Sequence, residues 1–159
     1  MNGKYVLHTI TLSLLVSVAL PAAEPSGPNI VLNNSKLRDY VARFNADDEE
    51  LYSNIPKKEA FDFLERNIPL FECPDPEIER TCYFCWWTYR KHVKATPDGW
   101  VITEFLPQAP WSAKHNTISC PAGHHFYEGR WLRDGRYMND YAVFWFRKGG
   151  SPRPGSDLA

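Results

Sequence analysis

PDPEIERTCYFCWWTYRKHVK, residues 74–94, carries the firmest local instruction in the chain. Asp75 is a strong helix N-cap, Pro76 suits the first helical position and Glu77 the first turn, so a helix is expected from there to about Lys94. Ile78, Cys82, Cys85 and Tyr89 recur at helical spacing, and with Trp86 beside them they predict the face turned to the core. Trp86 and Trp87 are neighbours on the helix, about 100° apart, so at most one belongs with the core and the other can line a groove. Arg90, Lys91, His92 and Lys94 fall where cations complement the C-terminal dipole.

Upstream, Pro56 opens a second helix. Phe61, Leu64 and Ile68 share a face, Glu59 sits in the first turn, and Pro69 ends it. The two helices form an αα-hairpin. A shorter helix is expected from Lys36 to Phe44, with Leu37, Tyr40, Val41 and Phe44 inward. Downstream, Pro97-Asp98-Gly99 signals a turn, and Trp100 to Phe105 alternates as a short strand. Trp111 to Arg133 has no clear period and reads as an irregular loop. Tyr137 to Arg147 returns to helix, with Tyr137, Tyr141, Phe144 and Trp145 on one side and Gly149-Gly150 as the stop.

The 159 residues carry 18 basic and 19 acidic side chains, so a polyanion such as nucleic acid is not an expected partner. The N-terminus reads as an export signal: Lys4, an apolar run from Ile10 to Leu20, then Pro21, Ala22 and Ala23 as a small-residue cleavage zone. The run is too short to span a bilayer comfortably, so no stable membrane insertion is expected after cleavage. Cys73, Cys82, Cys85 and Cys120 permit disulfides in an exported chain, and Cys73–Cys120 is the favoured pair because both precede Pro at element boundaries.

All six Trp lie between Trp86 and Trp145, and the aromatic content is 14%. The richest stretch runs from Trp111 to Trp131. Sugars present hydroxyls at their edges and apolar C–H patches on their faces, so a site for them needs planar aromatics together with Asn, His, Glu and Arg. The candidate saccharide ligands are therefore Trp111, His115, Asn116, His124, His125, Glu128, Arg130 and Trp131. The plainer alternative is a buried aromatic loop whose polar groups satisfy one another. Cys82, Cys85, Cys120 and His124 have zinc-type spacing, but Tyr83 and Phe84 place the first pair mid-helix rather than on a tight turn, so no metal or other cofactor is expected. Cys120 with His124 or His125 is too weak a pattern to name a nucleophile.

Phe71-Glu-Cys-Pro-Asp75, Phe84-Cys-Trp-Trp-Thr-Tyr-Arg-Lys-His92, Pro97-Asp-Gly99 and the run from His115 to Trp131 resemble the N-terminal part of bacterial six-hairpin, (α/α)6-toroid glycosidases. Within these, the trehalase-like and glycoside hydrolase family 63-like set, including mannosylglycerate hydrolase-like domains, is the most similar. Pro121-Ala-Gly123 leading to Tyr127-Glu128 is similar to the trehalase signature, in which Pro-Gly-Gly leads through Arg and Glu to Tyr-Trp-Asp. Here His124 and His125 replace the expected residues, and Leu132 follows Trp131 in place of Asp. The resemblance covers roughly Leu70 to Gly150.

The resemblance implies a carbohydrate-active, mainly α protein whose helical hairpins form the first part of an (α/α)6 toroid, with a short β element near 100–105. Twelve helices of ordinary length with loops exceed roughly 200 residues, so the chain is expected to be an N-terminal fragment. The expected organisation is a signal peptide at 1–23, a leader and short helix at 24–56, a partial toroid at 57–150 and a disordered tail at 151–159. Glycoside hydrolysis needs two carboxyl groups flanking the bond. In the resembled enzymes that pair lies further along, so the chain alone is expected to be inactive, and Glu104, Glu128 and Asp134 receive no catalytic role. The expectation is thus a periplasmic or extracellular glycosidase fragment with an aromatic, His-rich sugar loop. The rivals are a small exported carbohydrate-binding module without hydrolytic activity and a zinc-stabilised Cys/His domain.

Overall fold

The structure is a computed structural model describing residues 32–47 and 54–148. The expected signal peptide, most of the leader, the glycine stop and the tail lie outside the described residues. In chain order the elements are α1 (Ser35–Ala46), α2 (Lys57–Asn67), α3 (Pro76–His92), β1 (Val93–Thr96), β2 (Gly99–Ile102), a 3-10 turn (Lys114–Asn116), α4 (Ala122–Gly129) and α5 (Arg136–Arg147). The fold is mainly helical with one short antiparallel pair of strands, as expected.

α3 starts as the sequence dictates. The Asp75 carboxylate accepts from the Glu77 N–H at 2.9 Å and the Ile78 N–H at 3.4 Å, with Pro76 at the first turn. Its buried face, however, is not Ile78-Cys82-Cys85. The helix is turned so that Glu79, Tyr83, Trp87 and Arg90 go inside with the expected Tyr89, while Ile78 is 53% exposed and Cys85 is also exposed. The buried charges and polar tips explain the rotation, because each has a partner across the bundle. Tyr83 Oη donates to the Phe71 carbonyl at 2.7 Å, Trp87 Nε1 donates to Asn45 Oδ1 at 2.9 Å, and the Arg90 guanidinium donates to the Ile55 carbonyl. Glu79 accepts from Tyr40 Oη at 3.2 Å, Lys36 Nζ at 3.2 Å and the Cys73 N–H at 3.1 Å. α1 and α2 close over this face through Leu37, Tyr40, Val41, Phe44, Phe63 and Leu64, all buried.

Burial pushes the Glu79 carboxyl up, but the Cys73 N–H, Lys36 and Tyr40 outweigh it and hold the group below the usual Glu range. Its folded value therefore lies below the unfolded one, so its stabilisation is present above about pH 4.3 and is lost as pH falls through that range. The denaturant midpoint of the native chain should fall between neutral pH and about pH 3.5, and Glu79→Gln should flatten that fall while lowering the midpoint at neutral pH. An equally steep acid dependence in the variant would assign the effect to other carboxylates.

α3 ends at His92, two residues short of Lys94, because the chain turns directly into a hairpin. β1 pairs with β2 in the register Val93↔Ile102, Lys94↔Val101, Ala95↔Trp100 and Thr96↔Gly99. Pro97-Asp98 form the turn and Gly99 takes φ +104°, a left-handed conformation that glycine adopts freely. An added Cβ there would also press on the Asp140 side chain, whose Oδ2 accepts the Trp100 N–H at 3.1 Å and ties the hairpin to α5. α5 lies over β2, burying Tyr137, Tyr141 and Phe144, the side expected of it. Asp134 lies ahead of α5, where it accepts from the Arg136 N–H.

Candidate functional site

With its core face rotated, α3 leaves Cys82, Cys85 and Trp86 at its surface, and with the edge of the buried Tyr89 they wall two adjoining cavities. The larger, about 380 Å³, is bounded on α3 by Phe84, Cys85, Thr88, Tyr89 and His92. Ile102, Thr103 and Glu104 close it from the end of β2, and His125 and Glu128 from α4. The second, about 210 Å³, shares Cys85, Tyr89 and Glu128 with the first and adds Cys82, Trp86, Tyr127 and Trp131. Together they form an aromatic groove between α3 and α4. The larger cavity falls within the volume range of ordinary ligand sites.

α4 is a helix inside the stretch expected to be irregular. Its sequence has two glycines and follows Pro121, so tertiary contacts hold it rather than propensity. Tyr89 Oη donates to the His125 carbonyl at 2.9 Å. Gly129 lets the helix end approach α3, because a Cβ there would run into Tyr89 Oη and the Met138 sulfur.

The polar groups of the larger cavity are ordered by one another. His125 Nε2 lies 3.3 Å from Glu104 Oε2 and Nδ1 lies 3.0 Å from Tyr141 Oη. A carboxylate can only accept, which places the ring hydrogen on Nε2 and makes Tyr141 the donor to Nδ1. Burial holds His125 below the usual histidine range, against the pull of Glu104. Burial likewise pushes the Tyr141 hydroxyl up to about 12, so it keeps its proton. His92 Nδ1 donates to the Thr103 carbonyl at 2.8 Å, leaving Nε2 as the ring's acceptor, and burial lowers this histidine as well. Thr88, on the same wall, has its Oγ1 buried without a hydrogen-bond partner.

Of the eight residues proposed from sequence, the groove gathers His125, Glu128 and Trp131. Trp131 is 57% exposed. Arg130 stands at the groove's end, its guanidinium 3.6 Å from the centre of the Tyr127 ring and 5.1 Å from that of Trp131. His124 is exposed on α4 and lines neither cavity. Trp111 is exposed and packs edge-on against Phe105. His115 and Asn116 hold the backbone instead. His115 Nε2 pairs with Asp98 Oδ2 at 2.7 Å, and Lys114 pairs with the same carboxylate. Asn116 is buried, and both ends of its amide are spent within the loop.

The groove residues that the loop reading passed over are Phe84, Thr88, Tyr89, His92 and Glu104. For Phe84 and Tyr89 the signal was the surplus of aromatics on α3, which one core face could not absorb. All four cysteines are free, so Cys73–Cys120 is not bonded: Cys73 leads into α3 and Cys120 is exposed before α4. Among the described residues no group of three or more His, Cys, Asp or Glu side chains comes together that could hold a metal. No described helix is long and apolar enough to cross a membrane.

No known protein-family pattern matches the chain, and no curated protein matches it. Among solved structures, one named as a sialidase is similar to 76% of this chain at 44% sequence identity, with a TM-score of 0.71. This chain spans 11% of that protein's length. The shared fold and identity relate the chain to a segment of a glycosidase, while the six-hairpin, trehalase-like placement is not carried by that match.

Proposed function

We propose that the chain supplies a carbohydrate-binding groove belonging to an exported glycosidase. The observation that carries the reading is the open cavity between α3 and α4. Its apolar wall is made by Phe84 and Tyr89, and its polar groups are His92, Glu104, His125 and Glu128. Trp86, Tyr127 and Trp131 extend the aromatic surface beside it. Rings suited to sugar faces stand next to groups suited to sugar hydroxyls. The similarity to a sialidase supports the same class of ligand. Export rests on the apolar run before Ala23, and a reporter fused behind residues 1–23 should leave the cytoplasm.

Glu104 already accepts from His125, and Glu128 stands exposed. Both are placed as hydroxyl acceptors rather than as a protected proton donor, so the chain alone is expected to bind glycans without cleaving them. Titration of the purified chain against a glycan panel, followed by tryptophan fluorescence, tests this. Trp131→Ala and Glu128→Gln should each weaken binding about tenfold with little loss of stability, since both side chains are exposed. Full affinity in both variants would remove the groove as the site. Turnover by the isolated chain would restore a catalytic role to its carboxylates.

A further inference from the structure

We infer that this groove takes a neutral saccharide ring and disfavours a carboxylated one. The inference rests on the reading of the groove as a sugar site and adds the charge class of its ligand. The charged side chains lining the two cavities are Glu104 and Glu128, and among the described residues no Lys or Arg lines either. Burial disfavours the cationic form of both histidines that line the groove. His92 spends its Nδ1 hydrogen on the Thr103 carbonyl and His125 its Nε2 hydrogen on Glu104. Arg130, at the groove's end, is laid over Tyr127 and against Trp131. A ligand carboxylate entering here would meet two like charges in the lining, with the one guanidinium at the groove's end stacked on aromatic rings. A neutral ring would find acceptors at Glu104 and Glu128 and aromatic surface at Phe84 and Trp131. A sialoside presented to this groove would accordingly enter it by its neutral sugar.

The full chain should be titrated with matched pairs of glycans, such as lactose and sialyllactose, together with neutral oligosaccharides and their uronic-acid counterparts. The neutral member of a pair should bind, and the acidic member at least about tenfold more weakly. Added salt should narrow that gap by screening, and Glu128→Gln should narrow it by removing one of the repelling charges. Acidic members binding as tightly as neutral ones, or an unchanged gap in Glu128→Gln, would overturn the charge selection while leaving the groove a sugar site. Binding of no member would overturn the sugar site itself.

Discussion

Asn116→Ala should lower folding stability by about 3–5 kcal/mol in denaturant titration, far more than its position in a loop would imply. The side-chain amide is the knot of the segment between Glu104 and Thr117. Its Nδ2 donates to the carbonyls of Phe105 and Pro107, and its Oδ1 accepts from the Ala109 N–H at 3.0 Å and Ser112 Oγ at 2.8 Å. Removing it leaves several buried partners unpaired, each a cost of about 1–3 kcal/mol before water recovers part of it. The backbone adds a further term, because Asn116 sits at φ +64°, a region that Asn tolerates better than Ala does. Asn116→Gly relieves the backbone term alone, so it should be less damaging than Ala by about 1 kcal/mol. The effect reaches the groove through one link: the Asn116 carbonyl accepts the Glu104 N–H at 3.1 Å. Glycan affinity should therefore fall in the variant even though Asn116 lines neither of the two groove cavities. A stability loss under about 1 kcal/mol would show that the loop is held by something other than this amide.

The same residue shows where sequence reading ran out. Asn116, His115 and Trp111 have the composition of a sugar site, and composition cannot tell an amide facing a ligand from one facing its own loop. The decisive information is the turn of the backbone between Lys114 and Thr117, with two residues at positive φ. Local signals were legible where a short-range rule governs them. The Asp75-Pro76 helix start, the Pro97-Asp98 turn, and the inward Tyr137, Tyr141 and Phe144 of α5 all follow from neighbours in sequence. The burial of α3 does not. Its apolar stripe is a fair amphipathic pattern, yet the bundle buries Glu79 and Arg90, because Lys36, Tyr40 and the Ile55 carbonyl wait for them on other elements. The apolar spacing alone therefore centres the core about a hundred degrees from where most of it lies.

That single rotation also determines where the candidate site is. Had Ile78, Cys82 and Cys85 been core, Trp86 would have been sealed against α1 and α2. Left outside, it joins the edge of the buried Tyr89 as one wall of a groove whose other wall is α4, some forty residues later in the chain. β1, unexpected because no breaker separates it from α3, serves the same end. By pairing with β2 it returns the chain so that Thr103 binds His92 and Glu104 faces His125. The indoles clustered in the sequence are thus split by the fold, with Trp87 packed inside and Trp86 and Trp131 bordering the groove.

Gly129→Ala tests that closure most severely. On an open helix surface this change would stabilise by up to about 1 kcal/mol. Here it should destabilise by about 2–3 kcal/mol, because the added methyl has no room. Its position falls onto Tyr89 Oη and Met138 Sδ and lies 2.6 Å from Met138 Cε. The two neighbours differ in what they can yield. Tyr89 is 7% exposed and its hydroxyl is committed to the His125 carbonyl, so retreating breaks the contact that holds α4. Met138 is a flexible thioether and can be pushed aside. A double-mutant cycle with Met138→Ala should therefore return favourable coupling of about 1 kcal/mol, the part of the clash that belongs to the sulfur. What remains is borne by Tyr89 and should appear as a groove held open. Glu128 and Trp131 flank Gly129 on the chain, so glycan affinity should drop about tenfold in Gly129→Ala at temperatures where the protein is still folded. Unchanged stability and affinity would mean that α4 can stand off from α3 without cost, and the groove would then lose the rigid second wall on which its recognition of a sugar depends.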